Sequence, residues 1–412
     1  MKFLFWLSLV GIFYAYVGYP LHMWALASLR PRPWLAKPVS PSVSIVLAVR
    51  DGVTLLQRKL DHLLASDYPE VREVIIVSDG STDGTVELLA ARRHPRLKSI
   101  ILAEHVGKGA ALNAGMAQAT GEVILFVDIR PEIAAGAIEQ LVSNFADPGV
   151  GCVTGELFVG AGKGKGASAE FGGTYWRYEK WIRTCESRYS SPVGVYGGFY
   201  AIRRALAVPQ PPGIILDDMF EPLSILRQGY RVVVDSRAYV FDTWPDTVRG
   251  EFARKTRTLA GNFQLFRLAP WILTPRNPVL FQLIFHKVIR LLVPYLLLTM
   301  FASTVSLLAV SHVYAALAVL ETLAFALAIS GLCYGIPIID RIAAPMSAIL
   351  VLNVAAVVGL YKFLFTRGPL WKIWTVTNRP GNPQTENSLS SAVGRSTAVS
   401  DLNVSFGNNA PN

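Results

Sequence analysis

Long apolar segments at both ends of the chain constrain its fold more than any other feature. The first covers residues 3–29, and three more cover approximately residues 288–311, 313–335 and 344–365. A helix of about 20 apolar residues crosses a bilayer, so each segment is long enough to span a membrane. Hydrophobic residues make up 52% of the chain and its mean hydropathy is +0.37. The sequence therefore predicts a membrane protein with a water-soluble middle.

The first apolar segment predicts an uncleaved transmembrane anchor at residues 1–30. Residues 25–27 (Ala-Leu-Ala) also resemble a signal-peptidase site, so cleavage is the alternative. Arg30, Arg32 and Lys37 follow the segment directly, and such cations favour the cytoplasmic side of a membrane. We therefore expect the next domain to be cytoplasmic.

Between the apolar ends, the sequence predicts an α/β domain at residues 42–247, preceded by a proline-rich linker at residues 31–41. Short apolar segments of β character alternate with helical segments in its first half. The predicted strands are residues 44–49, 73–77, 99–102 and 123–127, and the predicted helices are residues 54–65, 84–92 and 109–119. This alternation is typical of a mostly parallel sheet with helices on both faces.

Residues 248–278 form a basic, amphipathic segment that we expect at the membrane surface. A C-terminal membrane region at residues 279–366 then contains about three spans, and residues 367–412 form a basic segment with a disordered tail. Four spans would place both chain ends on one side, whereas Lys362 and Arg367 favour a cytoplasmic C-terminus opposite the N-terminus. A re-entrant or interfacial segment around residues 282–290 would resolve this conflict.

The net charge of +10 is compatible with several kinds of partner. No run of Lys and Arg is interleaved with aromatic residues on one element, which argues against nucleic acid. The charge is better explained by anionic lipid headgroups and a phosphate-rich substrate. Cys152, Cys185 and Cys333 lack metal-ligand spacing, and we expect them to be reduced packing residues.

Two acidic residues directly follow predicted strands. Asp51 follows the first strand, and Asp79 follows the second in the sequence Ser-Asp-Gly-Ser-Thr-Asp-Gly. Open α/β sheets bind ligands at the carboxyl ends of their strands. We therefore expect Asp51 and Asp79 to be exposed in the crevice, where they could bind the base and ribose of a nucleotide. The alternative is an ordinary strand–turn–helix connection.

Three further residues are candidates for binding a diphosphate. Lys108 lies between glycines at a predicted helix start, where it could approach phosphate, or it is a solvated loop lysine. Asp128 follows the strand at residues 123–127 and is suited to Mg²⁺ or Mn²⁺, because hard cations prefer oxygen ligands. Arg130 could neutralise phosphate charge or point away from the site.

In this order, the motifs resemble glycosyltransferase family 2, the processive-type membrane synthases related to cellulose, chitin and poly-N-acetylglucosamine synthases. The resemblance covers about residues 42–270 and implies a GT-A fold and a UDP-sugar donor. It implies that Asp51 and Asp79 bind uridine. It also implies that Asp128 begins a DxD motif for the metal and the sugar diphosphate, although this chain reads Asp-Ile-Arg.

Two downstream motifs extend the resemblance. The glycine pair Gly197-Gly198 resembles the start of the family's acceptor-site strand, and the alternative is a core strand with a close backbone approach. Asp217 and Asp218 match the two acids of the Thr-Glu-Asp motif. The resemblance implies that Asp218 is the catalytic base and that Asp217 adjusts its environment. The alternative is that both acids merely favour a helix N-terminus.

Residues 254–258 (Arg-Lys-Thr-Arg-Thr) occupy the position of the family's Gln-x-x-Arg-Trp motif. Arg257 matches the arginine, Arg254 replaces the glutamine, and Thr258 replaces the tryptophan, so one stacking platform is absent. The resemblance implies that Arg254 and Arg257 lie near the donor diphosphate, which a planar guanidinium can bind with two hydrogen bonds. The alternative is that these cations face lipid phosphates.

These observations predict an inverting glycosyltransferase whose base, Asp218, deprotonates an acceptor hydroxyl. The expected partners are a UDP-sugar, Mg²⁺ or Mn²⁺, membrane lipids, and a glycan or lipid-linked acceptor, with no nucleic acid. The alternatives are transfer to a polyprenyl phosphate and a non-catalytic role in nucleotide sensing. The aromatic residues Tyr175, Trp176, Tyr178 and Trp181 are expected to pack or anchor, and His62, His94 and His105 to have no catalytic role.

Overall fold

A mixed eight-stranded sheet forms the centre of the soluble part, as seen in a computed structural model that describes residues 1–159, 167–242, 248–333 and 337–371. β-Branched and other apolar residues dominate the central strands, as buried strands require. The strands are β1 (Val43–Val49), β2 (Val71–Asp79), β3 (Leu97–Leu102), β4 (Val123–Val127), β5 (Glu132–Ile133), β6 (Val150–Val159), β7 (Phe199–Arg203) and β8 (Arg231–Asp242).

The strands lie in the order β3-β2-β1-β4-β7-β6-β8-β5. Strand β1 pairs in parallel with β2 and β4, β2 with β3, and β6 with β8. The antiparallel pairs are β4 with β7, β6 with β7, and β5 with β8. The expected mostly parallel α/β sheet is confirmed. Its parallel strands β1, β2 and β4 end at a common edge.

Helices cover both faces of the sheet. Ile45 and Leu47 of β1 belong to one core and Val46 to the opposite core, because successive side chains of a strand point to opposite faces. The helices of the soluble part are α3 (Val53–Leu64), α4 (Thr85–Ala91), α5 (Lys108–Gln118), α6 (Ala137–Ser143), α7 (Ala167–Tyr189), α8 (Asp217–Arg227) and α9 (Val248–Leu268).

Four helices are long and apolar enough to cross a membrane: Lys2–Leu29, Leu280–Ser306, His312–Gly331 and Met346–Phe365. The first comprises α1 (Lys2–Phe13), a π-helical turn (Tyr14–Gly18) and α2 (Tyr19–Leu29); the second comprises α10 (Leu280–Leu283), a π-helical turn (Ile284–Val288) and α11 (Ile289–Ser306). The others lie in α12 (His312–Cys333) and α13 (Pro337–Phe365). The number of candidate helices equals the number of spans predicted from the sequence. Residues 282–290, the candidate re-entrant segment, lie in the first turns of the second helix.

The C-terminal half of α13 packs against α9 of the soluble part. Gly359 lies directly on the α9 backbone, and the Phe363 ring stacks on that of Phe263 with 6.0 Å between centroids. Beyond α13, the ring of Trp371 lies 4.4 Å from that of His105. The chain that leaves α13 therefore returns to the edge of the sheet.

Candidate active site

Lys108 bridges two acidic residues of the candidate site, Asp128 and Asp217. It is the first residue of α5, after Gly107, whose φ of +97° favours glycine. Its Nζ lies 3.1 Å from Asp128 Oδ1 and 3.0 Å from Asp217 Oδ2. These carboxylates raise the pKa of Lys108, so the ammonium remains charged. The alternative of a solvated loop lysine is therefore wrong.

Asp128 is the most accessible of the acids that converge here, with 41% of its side chain exposed. Its backbone N–H donates to the carbonyl of Gly198, which ties the end of β4 to the beginning of β7. The Oδ1 of Asp128 contacts Lys108, and the rest of the exposed carboxylate is accessible. Asp128 could therefore bind a metal ion beside Lys108 or in its place.

Arg130 forms an ion pair with a further acid, Asp242. Its guanidinium pairs with the Asp242 carboxylate at 3.2 Å, and both residues line a cavity of about 400 Å³ in this part of the protein. The charges of Asp128 and Asp242 both raise the pKa of Tyr196, as does its burial, which places the two acids around this tyrosine. Asp242 was missed by sequence analysis. It ends β8, the same signal that identified Asp128.

Asp217 and Asp218 open helix α8. Asp217 is buried, and its carboxylate is engaged by Lys108. Burial and the adjacent Asp217 carboxylate raise the pKa of Asp218 to about 7, although Lys108 opposes this shift. A carboxylate with a pKa near neutrality is suited to accept a proton from a hydroxyl. These contacts give Asp217 a partner and Asp218 a chemical environment that helix capping does not require.

Of the two glycines predicted for the acceptor strand, Gly197 lies against Asp218 and Gly198 against Tyr196. A Cβ placed on Gly197 would lie 3.0 Å from the Cβ of Asp218. A Cβ on Gly198 would lie 2.7 Å from the Tyr196 hydroxyl oxygen. Both glycines therefore permit a close approach of the backbone. They precede β7, which begins at Phe199, and they line the cavity with Asp218.

Asp79 does not lie exposed in the crevice, and that expectation is wrong. Only 3% of the residue is accessible. Its Oδ1 accepts a hydrogen bond from the Val106 N–H at 2.8 Å, and its Oδ2 accepts one from the Gly107 N–H at 3.0 Å. The Nδ1 of His105 lies 2.7 Å from the same Oδ2. Asp79 thus orders the loop that precedes Lys108, and His105 has a structural contact that sequence analysis missed.

Asp51 lies at the end of β1 in a left-handed conformation, with φ +48°. Its Oδ1 accepts a hydrogen bond from the Thr82 N–H at 2.8 Å, and its Oδ2 lies 3.4 Å from Arg50 Nε. The side chain is 21% exposed. Positive φ is uncommon in non-glycine residues and is often found at functional sites. Asp51 therefore keeps part of its carboxylate available at the sheet edge, outside the lining of the main cavity.

Helix α9 contributes Arg254 and Arg257 to the cavity wall. Arg254 forms two hydrogen bonds with Glu251, at 2.8 and 2.7 Å. Both arginines therefore lie beside the interior space of the cavity. This placement is compatible with phosphate binding in the cavity.

A single cavity of about 400 Å³ joins these residues to the candidate spans. The predicted site residues in its lining are Lys108, Asp128, Arg130, Gly197, Gly198, Asp217, Asp218, Arg254 and Arg257. Tyr16, Leu291 and Asn353 form part of its wall on the side of the apolar helices. The cavity therefore reaches from the edge of the sheet to the apolar helices.

A buried ionic network borders this cavity and was missed by sequence analysis. The imidazole of His286 contacts Glu186 at 2.7 Å and Glu179 at 3.1 Å. Arg290 also pairs with Glu179. The two glutamates belong to α7, about 100 residues before their partners, so no local pattern indicates the contact. The network joins the soluble part to the helix Leu280–Ser306. The α7 aromatic residue Tyr178 makes a structural contact beside it, donating a hydrogen bond to the Tyr16 carbonyl.

The acid end of the cavity can accommodate a divalent cation that the donor helps to hold. Among the described residues, no group of three or more His, Cys, Asp or Glu side chains is arranged as a metal site. Mg²⁺ commonly takes one or two protein carboxylates and completes its shell with phosphate and water. The partly exposed Asp128 carboxylate meets that requirement.

Two overlapping families match this chain. The family described as Glycosyl transferase family 2 matches residues 44–207, and Glycosyl transferase family group 2 matches residues 132–359, which is more than half of the chain. An N-acetylglucosaminyltransferase of Rhizobium meliloti is 26% identical over 60% of this chain and 62% of its own length. A poly-beta-1,6-N-acetyl-D-glucosamine synthase of Staphylococcus aureus is 24% identical over 66% of this chain and 67% of its own length. The chain thus spans less than two thirds of the first of these relatives.

One solved structure is similar over nearly the whole chain. It is a mannosyltransferase from Pyrobaculum calidifontis in complex with GDP-Man and Mn²⁺. The similarity has a TM-score of 0.66 and 25% sequence identity, and it covers 88% of this chain and 100% of the mannosyltransferase chain. It supports the GT-A fold.

Proposed function

Because this chain belongs to Glycosyl transferase family group 2, we propose that it transfers a sugar from a nucleoside-diphosphate sugar to an acceptor hydroxyl, with inversion of the anomeric carbon. The observation that carries the proposal is the arrangement of Asp128, Lys108, Asp217 and Asp218 along one wall of the cavity. It places a candidate base of near-neutral pKa beside groups that can hold a diphosphate.

The transfer is a single displacement. The acceptor oxygen forms a bond to the anomeric carbon while the bond from that carbon to the diphosphate oxygen breaks. The electron pair of the broken bond stays on the diphosphate, and the acceptor proton passes to the Asp218 carboxylate. Asp217 and burial keep the proton affinity of Asp218 high enough for this role. The close approach of Gly197 leaves space for the acceptor beside the base.

The donor is bound by residues of the same cavity other than Asp218. Lys108, Arg254 and Arg257 can neutralise the diphosphate, and Asp128 would hold Mg²⁺ or Mn²⁺ against it. When bound, the cation stabilises negative charge on the leaving diphosphate. Mn²⁺ in the similar mannosyltransferase supports this assignment. Asp51 would contact the nucleoside, and Asp79 would act indirectly by ordering the loop before Lys108.

We expect a UDP-sugar, with N-acetylglucosamine as the first candidate because two relatives carry that sugar in their names. GDP-mannose is the second candidate, since the similar mannosyltransferase binds it. The decisive experiment measures nucleoside-diphosphate release by the membrane-reconstituted protein with each donor, with and without Mg²⁺ or Mn²⁺. Turnover with a donor supports the proposal. Nucleotide binding without turnover over the full panel would indicate a sensing role instead.

The Asp218→Asn variant tests the proposed role of Asp218 as the base. This variant should bind nucleotide as the wild type does and lose at least 100-fold in turnover, because the base is absent. Full activity in the variant would rule out Asp218 as the base. Glu87→Asn, at an exposed acid of α4, serves as the control and should keep wild-type turnover.

We further propose that the soluble part faces the cytoplasm and that the C-terminus lies on the same side. Arg30, Arg32 and Lys37 favour a cytoplasmic domain after the first helix. The packing of the C-terminal half of α13 on α9 and of Trp371 on His105 then supports a position for the end of the last apolar helix on the same side as the soluble part. A fluorescent reporter that matures only in the cytoplasm should be bright at the C-terminus. A dark reporter on an active enzyme would contradict this topology.

A further inference from the structure

We propose that the membrane-facing end of the cavity, around Arg183, Lys255 and Lys287, binds the phosphate group of a lipid-linked acceptor. This inference rests on the proposed function and specifies its acceptor class. The three cations come from three elements, α7, α9 and the helix Leu280–Ser306, and all three line the cavity. Their convergence depends on the fold, since more than 100 residues separate the first from the last.

These cations are incompletely neutralised by the protein. Lys287 is 3.9 Å from its nearest carboxylate, that of Glu179, which already pairs with Arg290 and His286. Lys255 is 3.7 Å from Glu251, which already forms two hydrogen bonds with Arg254. Both contacts are too long for hydrogen bonds. The two ammonium groups therefore retain donors for another anion.

Arg183 is still less well paired. Its guanidinium lies over the ring of Trp176 at 4.8 Å, and within the described part of the chain no carboxylate lies within ion-pair distance of it. Stacking orients the guanidinium but does not cancel its charge. A planar guanidinium can form two parallel hydrogen bonds with phosphate. Arg183 is therefore the most specific phosphate-binding group of the three.

Confinement of these charges is unfavourable in the absence of an anion. Burial and the nearby charges of Arg254 and Lys287 lower the pKa of Lys255 to about 8. Burial also lowers the pKa of Arg183, although nearby carboxylates, foremost that of Glu179, oppose this shift without cancelling it. Both effects indicate that the charged forms lack sufficient compensation. A phosphate bound among the three cations would provide it.

Ion pairing distinguishes the cationic cluster from the donor site. Lys108 pairs with Asp128 and Asp217, where the donor diphosphate and a metal are proposed to bind, whereas none of the three cluster cations forms an ion pair with either acid in the described part of the chain. The charge of Lys287 nevertheless acts on the Asp218 carboxylate, so the cluster lies within electrostatic reach of the base. An acceptor anchored there by its phosphate could present a hydroxyl to Asp218.

The surrounding wall indicates why the phosphate should belong to a lipid. Tyr16, Leu291, Leu352, Asn353 and Ala356 line the same cavity, and all belong to candidate membrane spans. A ligand whose phosphate binds the cationic cluster could therefore leave a hydrocarbon chain between these helices. A free phosphate would use the same cations but not the apolar wall.

The test measures binding to the full-length protein in phosphatidylcholine nanodiscs. Its probes are farnesyl phosphate, farnesol and inorganic phosphate. Farnesyl phosphate should bind at least 10-fold more tightly than either of the others, because it alone supplies both the charge and the hydrocarbon. Equal binding of farnesol would exclude the phosphate site, and equal binding of inorganic phosphate would exclude a lipid ligand.

Variants locate the site. Arg183→Gln and Lys287→Gln should each weaken farnesyl phosphate binding about 10-fold, since each removes a charge-assisted contact. Arg183→Lys keeps the charge but not the planar guanidinium, and it should lose less affinity than Arg183→Gln. Arg188→Gln, at an exposed position of the same helix, is the matched control and should bind as the wild type does. An equal loss in Arg183→Lys and Arg183→Gln would overturn the charge-based assignment.

Nucleotide binding separates this inference from the donor site. The variants should bind UDP and GDP within about twofold of the wild type if the cluster serves only the acceptor. A selective loss of nucleotide affinity would assign the cations to the donor diphosphate and overturn the proposal. Because none of these measurements requires turnover, a protein that binds farnesyl phosphate but transfers no sugar would refute the proposed function alone.

Discussion

The side chain of Asp218 lies directly against the α-carbon of Gly197, so a Cβ at position 197 would come within 3.0 Å of the Asp218 Cβ. The glycine precedes β7 and the acid opens α8, and the approach couples the acceptor strand to the candidate base. Real Cβ contacts are seldom this short, so one of the two elements must shift if the glycine is replaced.

Gly197→Ala should therefore reduce kcat about 10- to 100-fold, because small displacements of a catalytic group are costly. Nucleotide affinity should change little, since the donor contacts lie elsewhere. Steady-state kinetics combined with nucleotide-binding measurements would check both statements. An unchanged kcat would show that the Asp218 carboxylate tolerates the movement and has no strict positional role.

The pH dependence of kcat/KM should have an acid limb with an apparent pKa of about 7. Asp218 must be ionised to accept a proton, so activity should fall as the pH drops below this value. Asp217→Asn removes a neighbouring negative charge and should move the acid limb to lower pH. Rates measured from pH 5.5 to 9 would reveal the shift. A limb that stays in place would separate Asp217 from the titration of Asp218.

Glu221 should make the protein less stable as the pH rises. Burial raises the pKa of this α8 residue from 4.5 to about 8, so the folded state binds more protons than the unfolded state between those values. The unfolding free energy should therefore fall with rising pH in this window, by up to about 1.4 kcal/mol per pH unit. Glu221→Gln should flatten the dependence of the melting temperature, whereas Glu87→Gln, at an exposed acid, should not.

Arg290 should stabilise the junction between α7 and the helix Leu280–Ser306. Its removal in Arg290→Met leaves the buried Glu179 carboxylate with His286 and the more distant Lys287. Removing one partner of a buried ion pair costs about 3–5 kcal/mol, which should lower the melting temperature markedly. Arg290→Met combined with Glu179→Gln should recover much of that loss. Equal melting temperatures for the single and double variants would contradict this account.

Local patterns in the sequence were sufficient for the main elements of the fold. The apolar runs predicted the four candidate spans, and the alternation of short strands with helices predicted the sheet. Asp128 follows a strand and Asp218 lies at a helix start, and these positions identified both acids as candidate site residues. Both line the cavity. These features are readable because hydropathy and strand periodicity depend on neighbouring residues.

The environments of the same residues required the tertiary structure. Asp51 and Asp79 both follow strands, yet Asp51 remains partly exposed whereas Asp79 is buried under the loop before Lys108. Their local sequences do not encode that difference, because it depends on which distant backbone groups cover each carboxylate. Asp242 also ends a strand, but its ion pair with Arg130 exists only in the folded protein, because the two residues lie more than 100 positions apart in the chain.

The sequence alone determined that this is a membrane glycosyltransferase-like chain with acids at the ends of its strands. Only the tertiary structure decided that Lys108 joins Asp128 to Asp217. It likewise decided that Glu179 pairs with Arg290 beside the cationic cluster. The physical reason is that a charge acquires its function from its partners and its burial. Both are set by packing between segments that lie far apart in the chain.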